Sequence, residues 1–452
     1  MRMSRGGTAL HVCREPHLAV FAVSLLSLLL LPAVATAASD PGVRGGAPAA
    51  GDSLPGLTAG QAALFDAGAG AFQEVDPVAE GLGPRFNLDS CAGCHAHPAP
   101  GGSSPARNPQ VAVATLAGAV NQVPWFVAAN GPVREARFQR NPDGSPDGGV
   151  HALYVVTGRS DAAGCNLAQP DFGAPGDPLT GQGGNPNVIF RIPTPVFGAG
   201  LIEAIDDATI LANKRASLFS KILLGISGRE NRTGNDGTIT RFGWKAQNKS
   251  LRIFSGEAYN VEQGVTNELF PQERDETPGC RLNATPEDHH DTEAATLAAG
   301  LSDVELFTFF MTFLAPPVPA SPTSSSAHGS QVFDRIGCAL CHTRSLPTGN
   351  AVAGPLKRIS ANLFSDLLLH DMGVGLADGI SQGRAGPREF RTAPLWGLGQ
   401  RIFFLHDGRT SDLVQAIQAH ASFASEANSV VSLFRQLSDA DRQDLLNYLR
   451  SL

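Results

Sequence analysis

The distribution of apolar and polar positions first sets apart the start of the chain. Leu18 to Leu31 is an apolar run of 14 residues, short of the roughly 20 that a spanning helix needs. Arg2, Arg5 and Arg14 precede it, and Ala35-Thr36-Ala37 follows with small residues at alternate positions. That order predicts a signal peptide over residues 1–37, cleaved after Ala37, and a mature chain that is periplasmic or secreted with no stable membrane span. Farther along, helical periodicity recurs in two matching sets. Leu57-Thr58-Ala59-Gly60-Gln61 opens a helix through Leu64 and Phe65, and Leu301-Ser302-Asp303-Val304-Glu305 opens another with Leu306, Phe309, Phe310 and Phe313. His328 to Gly337 is a third helical pattern, and Leu437-Ser438-Asp439-Ala440-Asp441 starts a fourth with Leu445, Leu446, Tyr448 and Leu449. The second and fourth share a Leu-Ser-Asp start, a Ser N-cap followed by an acid.

Between the two sets, Ala315 to Ser326 is rich in Pro and Ser and has no periodicity, which marks a linker. The expected fold is mainly α, with two helical domains in tandem, at 54–315 and 327–452, joined by a linker at 316–326. The first domain is the longer by an insertion at about 100–300, with Gly/Pro/Asn-rich loops at 141–148 and 170–187. Short β-like runs at Ala152–Val156 and Val188–Ile192 predict a few strands inside it.

The chemistry enters between the helices of each set. Cys91-Ala92-Gly93-Cys94-His95 and Cys338-Ala339-Leu340-Cys341-His342 are two copies of C-x-x-C-H. In that motif the two thiols add across the vinyl groups of a haem, and the next residue brings an imidazole beneath the iron. One copy alone could be a redox dithiol or half of a zinc site, but no further C-x-x-C completes either zinc site. The motifs therefore predict two covalently bound haem c groups, with His95 and His342 as proximal iron ligands, and the order helix, haem, closing helix makes the two tandem domains cytochrome c-type haem domains. Cys13 leaves with the signal peptide. Cys165 and Cys280 remain, and an oxidising compartment favours a disulfide between them.

Composition and charge narrow the classes. Of 452 residues, 42% are apolar and 17% charged, which excludes a largely disordered chain. Without residues 1–37 the chain keeps 31 basic against 41 acidic residues, which gives no electrostatic reason to expect nucleic acid as a partner.

Further segments carry a resemblance. Phe390-Arg391-Thr392-Ala393-Pro394-Leu395-Trp396 and Phe404-Leu405-His406-Asp407-Gly408-Arg409, together with the two C-x-x-C-H motifs, resemble the bacterial di-haem cytochrome c peroxidase superfamily. Leu369-His370-Asp371-Met372-Gly373, Phe242-Gly243-Trp244-Lys245-Ala246 and Phe197 to Ala204 resemble its di-haem oxidoreductase branch, also called thiol oxidoreductase. The likeness runs over about 57–452 and is densest after 327. It implies peroxide reduction, with a small redox protein, a cytochrome c or cupredoxin, as electron donor and hydrogen peroxide or another small oxidant as substrate. It also implies bound calcium.

By the same resemblance, the distal ligand of the second haem stands fourteen residues after His406, at His420, with Met372 as its rival. Trp244 falls in the segment that carries a Trp between the haems. Glu262, in Tyr259-Asn260-Val261-Glu262-Gln263-Gly264, falls where the superfamily has its acid/base, although the Pro and Met usual there are absent. Glu203, flanked by apolar residues, is the alternative acid. For the first haem, His97 is too close to His95 to reach the opposite face, and His151 would need the insertion to fold back. His289 and His290 read as a solvated loop and Met311 as core, so an open sixth position is expected. Two other functions stay open: a haem-dependent oxidase or oxygenase of an organic or protein substrate, and a di-haem electron carrier.

Overall fold

The computed structural model describes residues 37–45, 50–176, 184–232 and 236–452. The expected signal peptide and its cleavage site lie outside the described residues, Ala37 apart. Among the described residues the chain is mainly helical, with few short strands.

The two sets of helices found in the sequence are helix pairs in space. Helix Ala59–Gln73 starts at Thr58, whose hydroxyl accepts from the Gln61 N–H while the Gln61 side chain accepts from the Thr58 N–H. This capping box satisfies two N–H groups that the helix itself leaves unpaired. Its buried residues Phe65, Gly68 and Phe72 share one face and pack on helix Asp303–Phe313, with Phe72 and Phe310 ring centroids 4.7 Å apart. Gly68 sets the approach, because a Cβ there would lie 2.2 Å from the Leu306 carbonyl oxygen. Helices Ser324–Arg335 and Asp439–Ser451 pair in the same way, and a Cβ at Gly329 would lie 1.9 Å from the Asp444 carbonyl oxygen. Both closing helices are capped by the expected serines, Ser302 and Ser438.

The linker is shorter than its composition suggests. Thr323 and Ser326 form a capping box, so Ser324–Ser326 already belong to the following helix. A local hydrogen-bond pair outweighs the coil-like look of a serine run.

Strand Glu135–Phe138 lies between Val150–His151 and Val188–Arg191, antiparallel to both, within the region expected as an insertion. Beside this sheet Phe126, Phe172 and Phe190 build a buried cluster that includes Cys165 and Cys280, and these two cysteines form a disulfide. Strand Leu369–Asp371 pairs with Glu389–Arg391. Helix Leu251–Ala258 runs into a π-helical turn, Tyr259–Gln263, closed by Gly264 at φ 84°. Such turns put a bulge, and often a functional side chain, where a regular helix would have none.

Candidate haem sites

Each C-x-x-C-H motif borders its own cavity. The first, about 1160 Å³, is lined by Cys91, Cys94, His95, Trp244 and Glu262. The second, about 1450 Å³, is lined by Cys338, Cys341, His342, Met372, His406 and His420, and also by Trp244. All four motif cysteines are unpaired thiols. Burial pushes the Cys91 and Cys94 thiols well up and that of Cys338 to about 12.

The imidazoles are prepared as ligands. His95 Nδ1 is 3.0 Å from the Gly102 carbonyl oxygen and His342 Nδ1 is 3.0 Å from that of Phe364. A carbonyl only accepts, so Nδ1 carries the proton in each ring and Nε2 keeps its lone pair. Burial lowers both rings to about 4, which keeps them neutral. Paired thiols beside a neutral imidazole with a free Nε2, at the edge of a largely apolar cavity, fit a haem c at each site.

His420 follows helix Leu413–Ala419 and shows the same pattern, with Nδ1 2.7 Å from the Ala416 carbonyl oxygen. It borders the cavity of His342 and lowers that ring's proton affinity by its proximity. Burial lowers the proton affinity of His420 itself. Met372 borders the cavity as well. His370 does not offer a nitrogen. Its Nδ1 meets Glu426 at 2.8 Å and its Nε2 meets Asp366 at 3.0 Å.

In the first cavity His95 is the only imidazole among the described lining residues. His97 Nε2 is engaged by the Gln400 carbonyl at 2.7 Å, and His151 pairs with Asp147 at 2.8 Å. His290 pairs with Glu268 at the surface. Met311 borders the cavity but is packed in the closing helix at 3% exposure. Glu262 projects from the π-helical turn into this cavity. Burial, with Glu135 adding to it, raises its carboxyl to about 8, against the opposing pull of Arg137. Glu203 stands elsewhere. Its Oε1 accepts from the Leu251 N–H at 2.8 Å at the start of helix Leu251–Ala258, and it lines neither haem cavity among the described residues.

Trp244 lies where the cavities meet. Its indole N–H donates to the Ile192 carbonyl at 2.9 Å, and its ring stands edge-on to His406 with centroids 6.4 Å apart.

Several lining residues escaped the sequence reading. Glu135 and Arg137, bonded at 2.6 Å, both border the first cavity from one strand. Their i, i+2 spacing puts them on a common face, a signal that exists in the sequence but says nothing of what the face looks upon. Arg191 also borders this cavity and pairs with Asp378 at 2.7 Å. For calcium, the described residues contain no group of three or more His, Cys, Asp or Glu side chains placed to hold a metal ion. No helix among them is long and apolar enough to cross a membrane.

Comparison with solved structures finds similarity to the diheme peroxidase BthA from Burkholderia thailandensis E264. It is 15% identical, with 47% of this chain and 65% of that chain covered and a TM-score of 0.29, so this chain spans less than two thirds of that protein's length. A MauG-like protein associated with microbial copper homeostasis is 13% identical, over 55% of this chain and 89% of that one, with a TM-score of 0.29. Hydrazine synthase from Kuenenia stuttgartiensis is 15% identical, over 64% and 99%, with a TM-score of 0.27. No curated protein matches. A family model described as "Di-haem oxidoreductase, putative peroxidase" matches residues 185–452. That is more than half of the chain, and the match takes in Trp244, Glu262, the second C-x-x-C-H motif and His420; the chain belongs to the di-haem oxidoreductase family.

Proposed function

We propose that this protein is an exported di-haem oxidoreductase that reduces hydrogen peroxide in the His95 cavity, with electrons delivered from a small redox protein by way of the C-terminal site. The observation that carries the reading is Glu262, a carboxyl raised to about 8 that shares its cavity with His95 and with no other imidazole among the described residues. When bound, the two covalent haems supply an iron position for the oxidant and a store for the electrons.

The chain supplies proton handling, orientation and shape. Cleaving the O–O bond of peroxide requires a proton to pass from one oxygen to the other, and a carboxyl near neutrality both takes and returns one. Glu135 helps to keep Glu262 in that range. Trp244, held by its bond to Ile192, borders both cavities and forms the bridge between the sites. His420 would hold the haem at the C-terminal site together with His342 and would make that site an electron-transfer centre; Met372 is the alternative for that role. Residues 54–315 and 327–452 act as the two haem domains, and the Cys165–Cys280 disulfide accords with an oxidising compartment, the periplasm or outside the cell.

Absorption and electron paramagnetic resonance spectra of the purified ferric protein test this reading. One high-spin and one low-spin signal are expected, the high-spin one responding to peroxide, with peroxide-dependent oxidation of a reduced cytochrome c. Two low-spin signals without turnover would make the protein an electron carrier. Turnover of an organic substrate without peroxide would make it an oxidase.

A further inference from the structure

Two guanidinium groups border the space where the two cavities meet, and no carboxylate among the described lining residues is paired with either. Arg391 ends the strand Glu389–Arg391, where its own N–H bonds to the Trp244 carbonyl at 2.9 Å. The residue is 8% exposed. Its Nη1 donates to the Arg241 carbonyl at 3.1 Å, and its buried Nε has no partner among the described residues. Arg401 follows the turn Leu398–Gln400 and borders the same space. Both line the C-terminal cavity and a small adjoining cavity of about 280 Å³, shared with Thr194, Trp244 and Trp396.

No described Asp or Glu lines the small cavity. The one acid among the described residues lining the larger one, Glu426, is taken up by His370 and Ser227. Burial lowers both guanidinium groups to about 10, and the charge of Arg401 lowers Arg391 further, yet both stay charged at neutral pH. Two desolvated like charges are costly until an anion completes them.

We infer that Arg391 and Arg401 form a carboxylate-binding site that takes the propionate groups of the haem held at Cys338, Cys341 and His342. The inference rests on the two-haem reading and deepens it. A haem carries its vinyl groups on one edge and its two propionates on the opposite edge, so the end of the cavity away from the thioether bonds must receive two negative charges. The fork of an arginine matches a carboxylate with two parallel hydrogen bonds. The pair thereby orients the propionate edge toward Trp244. Its positive charge also favours the ferrous over the ferric state. Arg391 and Arg401 are positioning residues; they touch the cofactor's rim and not the reacting atoms.

The test is spectroelectrochemical titration of the low-spin haem in the purified two-haem protein, comparing wild type with Arg391→Gln, Arg401→Gln and the double variant. All should keep two haems per chain by pyridine haemochrome. In the double variant the ferric-to-ferrous equilibrium should move at least tenfold toward ferric, about 59 mV for one electron, and each single variant should move it part of the way. Arg391→Lys with Arg401→Lys keeps both charges and should restore most of the wild-type value, and it serves as the readout if the double Gln variant does not fold. A change below threefold in the Gln variants overturns the inference, as does an equal change in the Lys variants, which would mean packing and not charge. A midpoint that moves when inorganic phosphate is added to wild type, and not to the variants, overturns it in favour of a free anion. Fewer than two haems in wild type would overturn the two-haem reading itself.

Discussion

Glu262 gives the most exacting prediction. Its carboxyl moves from an ordinary 4.5 to about 8, chiefly through burial and then through Glu135. A shift of roughly 3.5 units corresponds to about 5 kcal/mol between its two protonation states. At pH 7 about one molecule in ten therefore carries the carboxylate that can accept the first peroxide proton. The expected kcat/KM for peroxide rises close to tenfold per pH unit from pH 6 and levels above about 8. Glu262→Gln should lower it by ~10²-fold or more and remove the inflection. Stability follows the opposite course. The folded protein keeps a proton that the unfolded chain releases above 4.5, so stability falls as pH rises from about 4.5 and levels off above about 8. In Glu262→Gln that decline should shrink by a few kcal/mol. The assays are stopped-flow oxidation of a reduced small redox protein by peroxide from pH 6 to about 9.5, and denaturant melts over the same range. A Glu262→Gln variant within threefold of wild type at pH 8, or one that keeps the inflection, refutes the assignment.

Four further outcomes are expected. His420→Gly should convert the low-spin ferric signal to high-spin and slow electron delivery; an unchanged low-spin signal would move ligation to Met372. Replacing Cys165 and Cys280 together by Ser opens a cross-link spanning 115 residues, worth about 4–5 kcal/mol by loop entropy. Urea melts should show it as a lower midpoint, and a loss under about 1 kcal/mol contradicts the reasoning. Lys245→Met leaves the buried Asp378 with Arg191 alone and strips two carbonyls of their donor, and should cost about 1–3 kcal/mol in urea melts; adding Asp378→Asn should cost more, because it strands the buried Arg191. Gly68→Ala forces a methyl group against the Leu306 carbonyl and should destabilise by about 1–3 kcal/mol; a neutral effect would show that the helix pair yields freely.

What could be read in advance was whatever chemistry or capping is written in consecutive residues. Each C-x-x-C-H stands within five positions. The closing helices announce themselves by Leu-Ser-Asp, and Ser302 and Ser438 cap them. The Cys165–Cys280 pair follows from the assignment of every other thiol to the signal peptide or to a C-x-x-C-H motif. Trp244 and Glu262 needed family resemblance, because a lone Trp or Glu is mute about its surroundings. Glu135 and Arg137 were not found, since only the pairing of their strand with Val188–Arg191 turns that face inward. Arg391 and Arg401 lie ten positions apart, and only the turn between them makes them neighbours. At 324–326 composition misled, because the serines that suggest coil are the ones that cap and begin a helix.

The placement of Trp244 shows why such scattered segments belong together. The next residue, Lys245, is wholly buried; its ammonium bonds the carbonyls of Gly386 and Glu389 and sits 3.0 Å from Asp378. Asp378 also holds Arg191 at 2.7 Å. The same ammonium lies 4.1 Å over the ring of Phe390, Phe390 stacks on His406 at 4.3 Å, and His406 stands edge-on to Trp244. Ile192, beside Arg191, accepts the indole N–H of Trp244 and bonds through its own N–H to the His406 carbonyl at 2.8 Å. Four stretches of chain, at 191–192, 242–246, 378–391 and 404–409, thus close a ring around one indole. Buried ion pairs add little net stability because desolvation offsets their attraction, but they resist rearrangement, since moving one partner strands the others. On the proposed reading, in which this indole bridges two redox sites, that property matters more than stability, because electron transfer weakens steeply as the spacing slips.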